Sequence, residues 1–311
     1  PRKPKPSNSA SVMTFRVTVL GSSSAMPTLK RNPSAHALNV HEQFFLIDCG
    51  EGTQVTMKML GWGFKAIDVI CFTHFHADHI SGLPGLLLTI GNAGRTEPLT
   101  LIGPVGLQRI VEGLTLIAPE LPFPIEYIEL DKDTPNPIRV GAFEIHHCPA
   151  DHMVKCFAYR IGKFDVKKAE QLKLPKPLWN KLQKEGSVEH EGKTYTADMV
   201  MGENRKGISV AYCTDSRPVD RITKFVEGVQ LFICEGMYGE EEKKQKAREN
   251  KHMLFSEAAR MAKNANAERL WLTHFSPSLN EPEAYLPVAQ EIFPMTELGE
   301  ERKCITIEFP K

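Results

Sequence analysis

The chain has 311 residues, 41% of them hydrophobic, with 38 basic side chains against 38 acidic ones, so it is long enough for a substantial core and projects no global field that would gather a polyanion. Any contact with nucleic acid must therefore be a local patch. No apolar run approaches the roughly 18 residues of a membrane span and no signal peptide precedes the first strand, while seven scattered cysteines, an odd number set mostly in strand-like segments, predict reduced thiols in a cytoplasmic protein.

In chain order, residues 1–12 are rich in proline, serine and basic side chains and are predicted to be a disordered extension, with one domain over 13–311. Phe15 to Leu20 alternates as a strand, and Phe44 to Ile47 reads as the second, ending at Asp48-Cys49-Gly50-Glu51-Gly52. A helix is predicted from Thr53, turning Val55, Met59 and Leu60 inward. The apolar run Val69 to Phe72 precedes a buried helix over Ile80 to Ile90, irregular at first because of Gly82, Pro84 and Gly85. Strands at Leu99 to Ile102 and Ile125 to Glu129 flank a helix around Leu107 to Leu116. The second half alternates strand and helix from Ile138 to a final strand at Ile305 to Phe309. Two β-rich halves covered by helices predict an α/β fold, a four-layer αββα sandwich.

One segment departs from that pattern. From Lys163 to about Lys206 there is little apolar periodicity around the short piece Leu178 to Leu182, and Lys167, Lys168, Lys173, Lys176, Lys181 and Lys184 interleave with Trp179 and Tyr195. So long a loop in a compact domain is normally functional or disordered. Its composition suits a protruding arm at 163–206 that touches a phosphate backbone, against the plainer alternative of a solvated insertion.

The densest chemistry lies in Thr73-His74-Phe75-His76-Ala77-Asp78-His79, three imidazoles and a carboxylate directly behind a strand. Imidazole and carboxylate are the ligands of catalytic zinc and similar divalent ions. Strand alternation sends His74 and His76 to one side, while Asp78 and His79 must sit on a turn or helix start to face a second ion. Four further strands end in groups of the same kind: Phe143 to Ile145 leads to His146, His147 and His152, Ile208 to Cys213 to Asp215, Leu231 to Ile233 to Glu235, and Leu270 to Leu272 to His274. Strand ends are where sites assemble in layered α/β proteins, and spacing alone leaves open which of the three histidines takes part.

The His-x-His-x-Asp-His pattern resembles the metallo-β-lactamase superfamily of two-metal hydrolases. Beyond it, Leu20-Gly21-Ser22-Ser23-Ser24-Ala25 with Pro27-Thr28 and Arg31-Asn32, Asp48 to Gly52, Ala150-Asp151-His152 with Tyr159-Arg160-Ile161, Tyr212 to Asp215, Ile233 to Glu235, His252 with Glu257-Ala258, and Leu272 to Phe275 together resemble the short form of the ribonuclease Z family. These are endonucleases that remove the 3′ trailer from precursor tRNA. The chain departs from the pattern at four places. Leu29 with Lys30 stands where a basic residue usually follows the proline by two, and Lys176-Pro177 replaces the glycine-proline pair of the arm. Met253 replaces a serine or threonine, and Cys234 a histidine.

The resemblance implies a set of roles. The family places its ligand eight residues before the arginine of Tyr159-Arg160, which selects His152 and leaves His146 and His147 as strand residues. His74, His76 and His152 would hold one metal, and Asp78, His79 and His274 the other, with Asp215 bridging. Two zinc ions per subunit are implied, manganese or magnesium being alternatives. Asp78 would orient the attacking water and take its proton, and His252, paired with Glu235, would protonate the leaving oxygen. Lys30, Arg31 and Asn32 together with Lys176 and Lys181 of the arm would contact precursor tRNA, and a homodimer is implied. Cleavage would leave a 3′-hydroxyl on the tRNA and a 5′-phosphate on the trailer. A small-molecule hydrolase of the same fold, such as a lactonase, thioesterase or arylsulfatase-like enzyme, would share the ligands but need neither the arm nor His252. An RNA-binding module with a structural zinc would close its metal with four ligands and need no acid.

Overall fold

Val210 to Cys213, Leu231 to Cys234 and Leu270 to Leu272 are apolar at every position, as strands in the middle of a parallel sheet covered on both faces must be. The computed structural model describes residues 14–40, 43–118, 120–141, 143–163, 174–175, 178, 181–182, 187–196, 199 and 208–308. It pairs those runs as β12 (Ser209–Cys213), β13 (Leu231–Glu235) and β14 (Leu270–Thr273), all parallel and all wholly buried. Beside them lie β15 (Thr296–Leu298) on one flank, and β9 (Phe157–Lys163), β8 (Phe143–Pro149) and β7 (Ile138–Val140) on the other, giving a seven-stranded sheet.

A second seven-stranded sheet faces it, in the order β16 (Cys304–Glu308), β1 (Thr14–Gly21), β2 (Ala35–Val40), β3 (Gln43–Ile47), β4 (Ile67–Cys71), β5 (Leu99–Pro104) and β6 (Ile125–Leu130). The layer between the sheets is built from inward-facing side chains of both, among them Phe15, Phe45, Tyr159, Tyr212 and Trp271. Helices α1 (Thr53–Met59), α3 (Leu83–Asn92) and α4 (Leu107–Leu114) cover the outer face of the β1 sheet. The helices Asp220–Phe225, Phe255–Asn264 and Leu286–Ile292 cover the other. This is the αββα sandwich expected from the pattern.

Four features differ from the sequence reading. Strand β2 lies between β1 and β3, so Phe44 to Ile47 belongs to the third strand; His36 and Asn39 interrupt its apolar character, although His36 itself is buried. In α1 the buried face is Thr53, Thr56 and Met57, whereas Val55 and Met59 are 56% and 62% exposed. Two hydrogen bonds fix that phase: Thr53 Oγ1 donates to the Gly50 carbonyl at 2.7 Å and Asn32 Nδ2 donates to Thr56 Oγ1 at 3.0 Å. Buried hydroxyls follow their partners, and the methyl-rich positions are carried outward by the 100° step of the helix. The last strand leaves the second half and pairs antiparallel with β1. Lys163 closes β9 rather than opening the arm, and the arm segment contains an antiparallel hairpin, β10 (Ser187–His190) with β11 (Lys193–Thr196). Leu174, Leu182 and Val188 within it are buried. The predicted extension 1–12, the arm lysines 167, 168, 173, 176 and 184, and Trp179 lie outside the described residues.

Candidate metal centre

Parallel strands bring their C-terminal ends to one edge, and here the ends of β3, β4, β12, β13 and β14 meet there. Three of the residues that follow turn abruptly, with positive φ at Asp48 (60°), Asp215 (50°) and His274 (57°). Such a conformation costs a non-glycine residue about 1–2 kcal/mol, and here it breaks the strand so that the side chain enters the cleft. After β4, His76 is the N-cap of the short helix α2 (Ala77–Ile80), which places Asp78 and His79 on its first turn.

The result is two groups of donor atoms sharing one carboxylate. His74 Nε2 lies 2.9 Å from His76 Nδ1, and His152 Nε2 lies 3.3 Å from the same nitrogen. Asp215 Oδ1 faces them at 3.8 Å from His74 and 3.7 Å from His152. Its other oxygen, Oδ2, lies 3.2 Å from His79 Nε2 and 3.3 Å from His274 Nε2, and Asp78 Oδ2 is 3.3 Å from each of those two nitrogens. All seven residues offer ligand atoms in sets that fall within 4.8 Å of one another.

A divalent cation fits each group for a chemical reason. Burial, followed by the neighbouring imidazole His79, drives the His74 basicity well down, and burial first also lowers that of His152. Neutral imidazoles whose lone pairs converge at about 3 Å repel unless a shared proton or a cation sits between them, and His76 Nδ1, approached by two such nitrogens, can supply only one proton. At His79 burial again disfavours charge, but the carboxylates of Asp215, Asp48 and Asp78 outweigh it and hold its basicity well up. A proton on its Nε2 and a cation bound there are alternative answers to the same cluster of anions.

Asp48 is the participant that sequence reasoning left without a role. Its Oδ2 accepts from His79 Nδ1 at 2.8 Å while Oδ1 accepts from the Thr73 amide at 2.8 Å, so it orients both ends of the motif. A carboxylate behind a ligating imidazole fixes the ring and its tautomer. The signal was an acid at the end of an apolar strand, ahead of a Gly-Glu-Gly turn.

Outside both groups stands His252, whose Nδ1 donates to Glu235 Oε2 at 3.0 Å. Burial lowers its basicity, yet the attraction and hydrogen bond of Glu235, followed by Asp215 and Asp78, outweigh it and raise the pKa to about 9. Its ring centre is 5.6 Å from that of His152 and 5.8 Å from that of His274, so it overlooks both groups. His146 and His147 are elsewhere. The first pairs with Glu144 at 2.9 Å and the second packs on Phe157 within β8. Accordingly, His147→Ala should retain wild-type metal content and turnover, whereas His152→Ala should lose metal, measured by elemental analysis of the purified proteins; the opposite pair of results would put the wrong histidine in the site.

Two residues expected to meet substrate are engaged within the protein. Arg31 Nη2 donates to the Leu279 carbonyl at 2.8 Å and its guanidinium lies 5.4 Å from the centre of the Phe275 ring. Asn32 spends its amide group on Thr56, and its backbone N–H donates to Glu301 Oε1 at 2.8 Å. Both tie the loop to its surroundings while staying partly exposed. Lys30 and Lys181 are exposed, and Lys176 lies outside the described residues.

Residues 15–111 match a family model described as Anti-Pycsar protein Apyc1 and residues 181–275 one described as Beta-lactamase superfamily domain. A ribonuclease Z of Clostridium acetobutylicum is 52% identical over 303 residues, covering 94% of this chain and 98% of that protein. The metallo-β-lactamase fold protein YhfI from Bacillus subtilis superposes with a TM-score of 0.69 at 20% identity, over 95% of this chain and 100% of that one. Human tRNase Z, short form, does so with a TM-score of 0.67 at 24% identity, also over 95% and 100%. These two establish the metallo-β-lactamase fold. The likeness to the bacterial enzyme extends across nearly the whole sequence, and the chain belongs to the ribonuclease Z family.

Proposed function

We infer that this chain is a metal-dependent endoribonuclease that removes the 3′ trailer from precursor tRNA. The observation that carries the reading is the placement of Asp215, one oxygen toward each donor group, with the His252–Glu235 pair directly beside it. Two divalent cations bound there would lower the pKa of water from about 15.7 to about 7 and neutralise phosphate charge. Asp78, whose Oδ2 accepts from the Ala25 amide at 2.8 Å, would orient the attacking water and receive its proton. His252, with Nδ1 committed to Glu235, keeps Nε2 for donating a proton to the departing ribose oxygen.

A donor set dominated by imidazole suits zinc better than magnesium, which prefers oxygen ligands, and manganese stands between them. The same reading carries a homodimer as the assembly and the cytoplasm as the location. Seven free cysteines support the latter, and among the described residues no helix is long and apolar enough to cross a membrane. The domain plan is a single sandwich over 13–311 with an RNA-binding arm at about 163–206 and an extension at 1–12.

Incubating the holoenzyme with labelled precursor tRNA, with and without chelator, tests the function. Cleavage at the trailer junction that chelator abolishes is the expected result; metal-dependent hydrolysis of small esters with intact tRNA would favour the small-molecule rival. The arm has its own test. Replacing Leu172 to Thr196 by a short glycine linker removes no residue of either donor group, and the loop-closure cost of changing an insertion's length is small. The truncated protein should keep its metals and hydrolyse a small phosphodiester, while its tRNA affinity falls steeply and the salt dependence of binding flattens as lysine contacts are lost. Unchanged affinity and salt slope would remove the arm from the interface.

A further inference from the structure

His252 lies between the helices Lys244–Glu249 and Phe255–Asn264, tied to the first by its own amide, which donates to the Ala247 carbonyl at 2.8 Å. The rest of its direction is set by contacts from more distant parts of the chain. Glu235 Oε2 takes the imidazole Nδ1–H and, at 3.2 Å, the following amide of Met253. The carbonyl of His252 itself accepts a hydrogen bond from Arg217 Nη1. That guanidinium is locked in turn by a fork with Glu257, Nη1 to Oε2 at 2.9 Å and Nη2 to Oε1 at 2.6 Å. Glu257 Oε2 also accepts from the Leu254 amide at 3.0 Å, so the carboxylate reaches the same stretch of backbone from the other side.

Arg217 is placed by the turn that carries Asp215. Between them the Ser216 amide donates to Glu235 Oε1 at 2.7 Å. Three successive residues thus serve the shared carboxylate, the partner of His252, and the backbone of His252. A further tie runs from Lys251, immediately before His252, to Asp151, immediately before His152, at 3.1 Å. A planar guanidinium with fixed donor directions fixes a peptide plane, and with it the Cα–Cβ direction of the residue, in a way that a lysine point charge does not.

We propose that Arg217, locked by Glu257, is a positioning residue that sets the direction from which His252 approaches the leaving oxygen. The inference rests on His252 being the acid, and the test keeps the two apart. Arg217→Lys, Glu257→Gln, His252→Ala and the double variant Arg217→Lys/His252→Ala are assayed as metal-loaded proteins on precursor tRNA and on a nitrophenyl phosphodiester, with bound metal and Tm recorded.

Loss of aim should lower kcat for Arg217→Lys on precursor tRNA by about tenfold or more with KM little changed, and by several-fold less on the nitrophenyl ester, whose leaving group needs no proton. In the His252→Ala background the lysine substitution should have almost no further effect on precursor tRNA, because the group it aims is gone. Equal losses on the two substrates, or a full multiplicative loss in the double variant, would make Arg217 a structural residue and overturn the proposal. Should Arg217→Lys fold poorly or lose metal, Glu257→Gln decides by the same two-substrate comparison, since its amide oxygen keeps the Leu254 contact while the charged fork is lost. A substrate-dependent loss for His252→Ala without one for Arg217→Lys defeats the positioning role alone. Equal losses for His252→Ala defeat the acid and this proposal together.

Discussion

Asp215→Ala should abolish cleavage of precursor tRNA and lower bound metal to about one equivalent or less per chain. The carboxylate presents Oδ1 to His74 and His152 and Oδ2 to His79 and His274, so a single substitution removes an anionic donor from both groups. Two cations held at about 3.5–4 Å repel strongly, and a shared anion is what offsets that repulsion. The backbone adds a complication, because Asp215 has φ of 50° and alanine in the left-handed region costs about 1–2 kcal/mol. Asparagine tolerates that conformation and nearly preserves the shape, so Asp215→Asn separates charge from strain. Elemental analysis beside turnover measures both; full metal content with near-normal turnover in either variant would defeat the bridging assignment.

For His252→Ala the expected loss depends on the substrate. With precursor tRNA the departing ribose oxygen is strongly basic, and removing a general acid should cost about 10² to 10⁴ in rate. A nitrophenolate leaves without a proton, so the same variant should hydrolyse a nitrophenyl phosphodiester with a small loss. His252 belongs to neither of the two main donor groups, although it also lies within ligand distance of Asp215 and His274; because its Nδ1 is committed to Glu235, metal content should be retained. Single-turnover rates on the two substrates give the comparison, and losses of equal size would reassign His252 to positioning the phosphate.

The sequence by itself determined the layers and the location of the chemistry. Apolar runs such as Leu231 to Cys234 specify buried parallel strands, and the polar residues that end them, Asp215, Glu235 and His274, can only emerge at the strand ends. The crowding of His74, His76, Asp78 and His79 is likewise a local fact, legible because six positions on a strand end and a helix start cannot disperse.

Tertiary structure decided what depends on a partner distant in the chain. Nothing in the spacing of His146, His147 and His152 says which approaches His74; that follows from β8 pairing with β9, which keeps the first two within the strand and releases His152 into the cleft. The phase of α1 was set by Asn32, and Arg31 and Asn32 were drawn inward by Leu279, Phe275 and Glu301, more than two hundred residues away for Arg31. Likewise, the Arg217–Glu257 fork that holds His252 joins an exposed-looking arginine to a helix start forty residues on. Periodicity records which face of an element is apolar, a property of neighbours in sequence. A polar side chain's role is fixed by the donor or acceptor that satisfies it when buried, and that partner is chosen by the packing of the sheets.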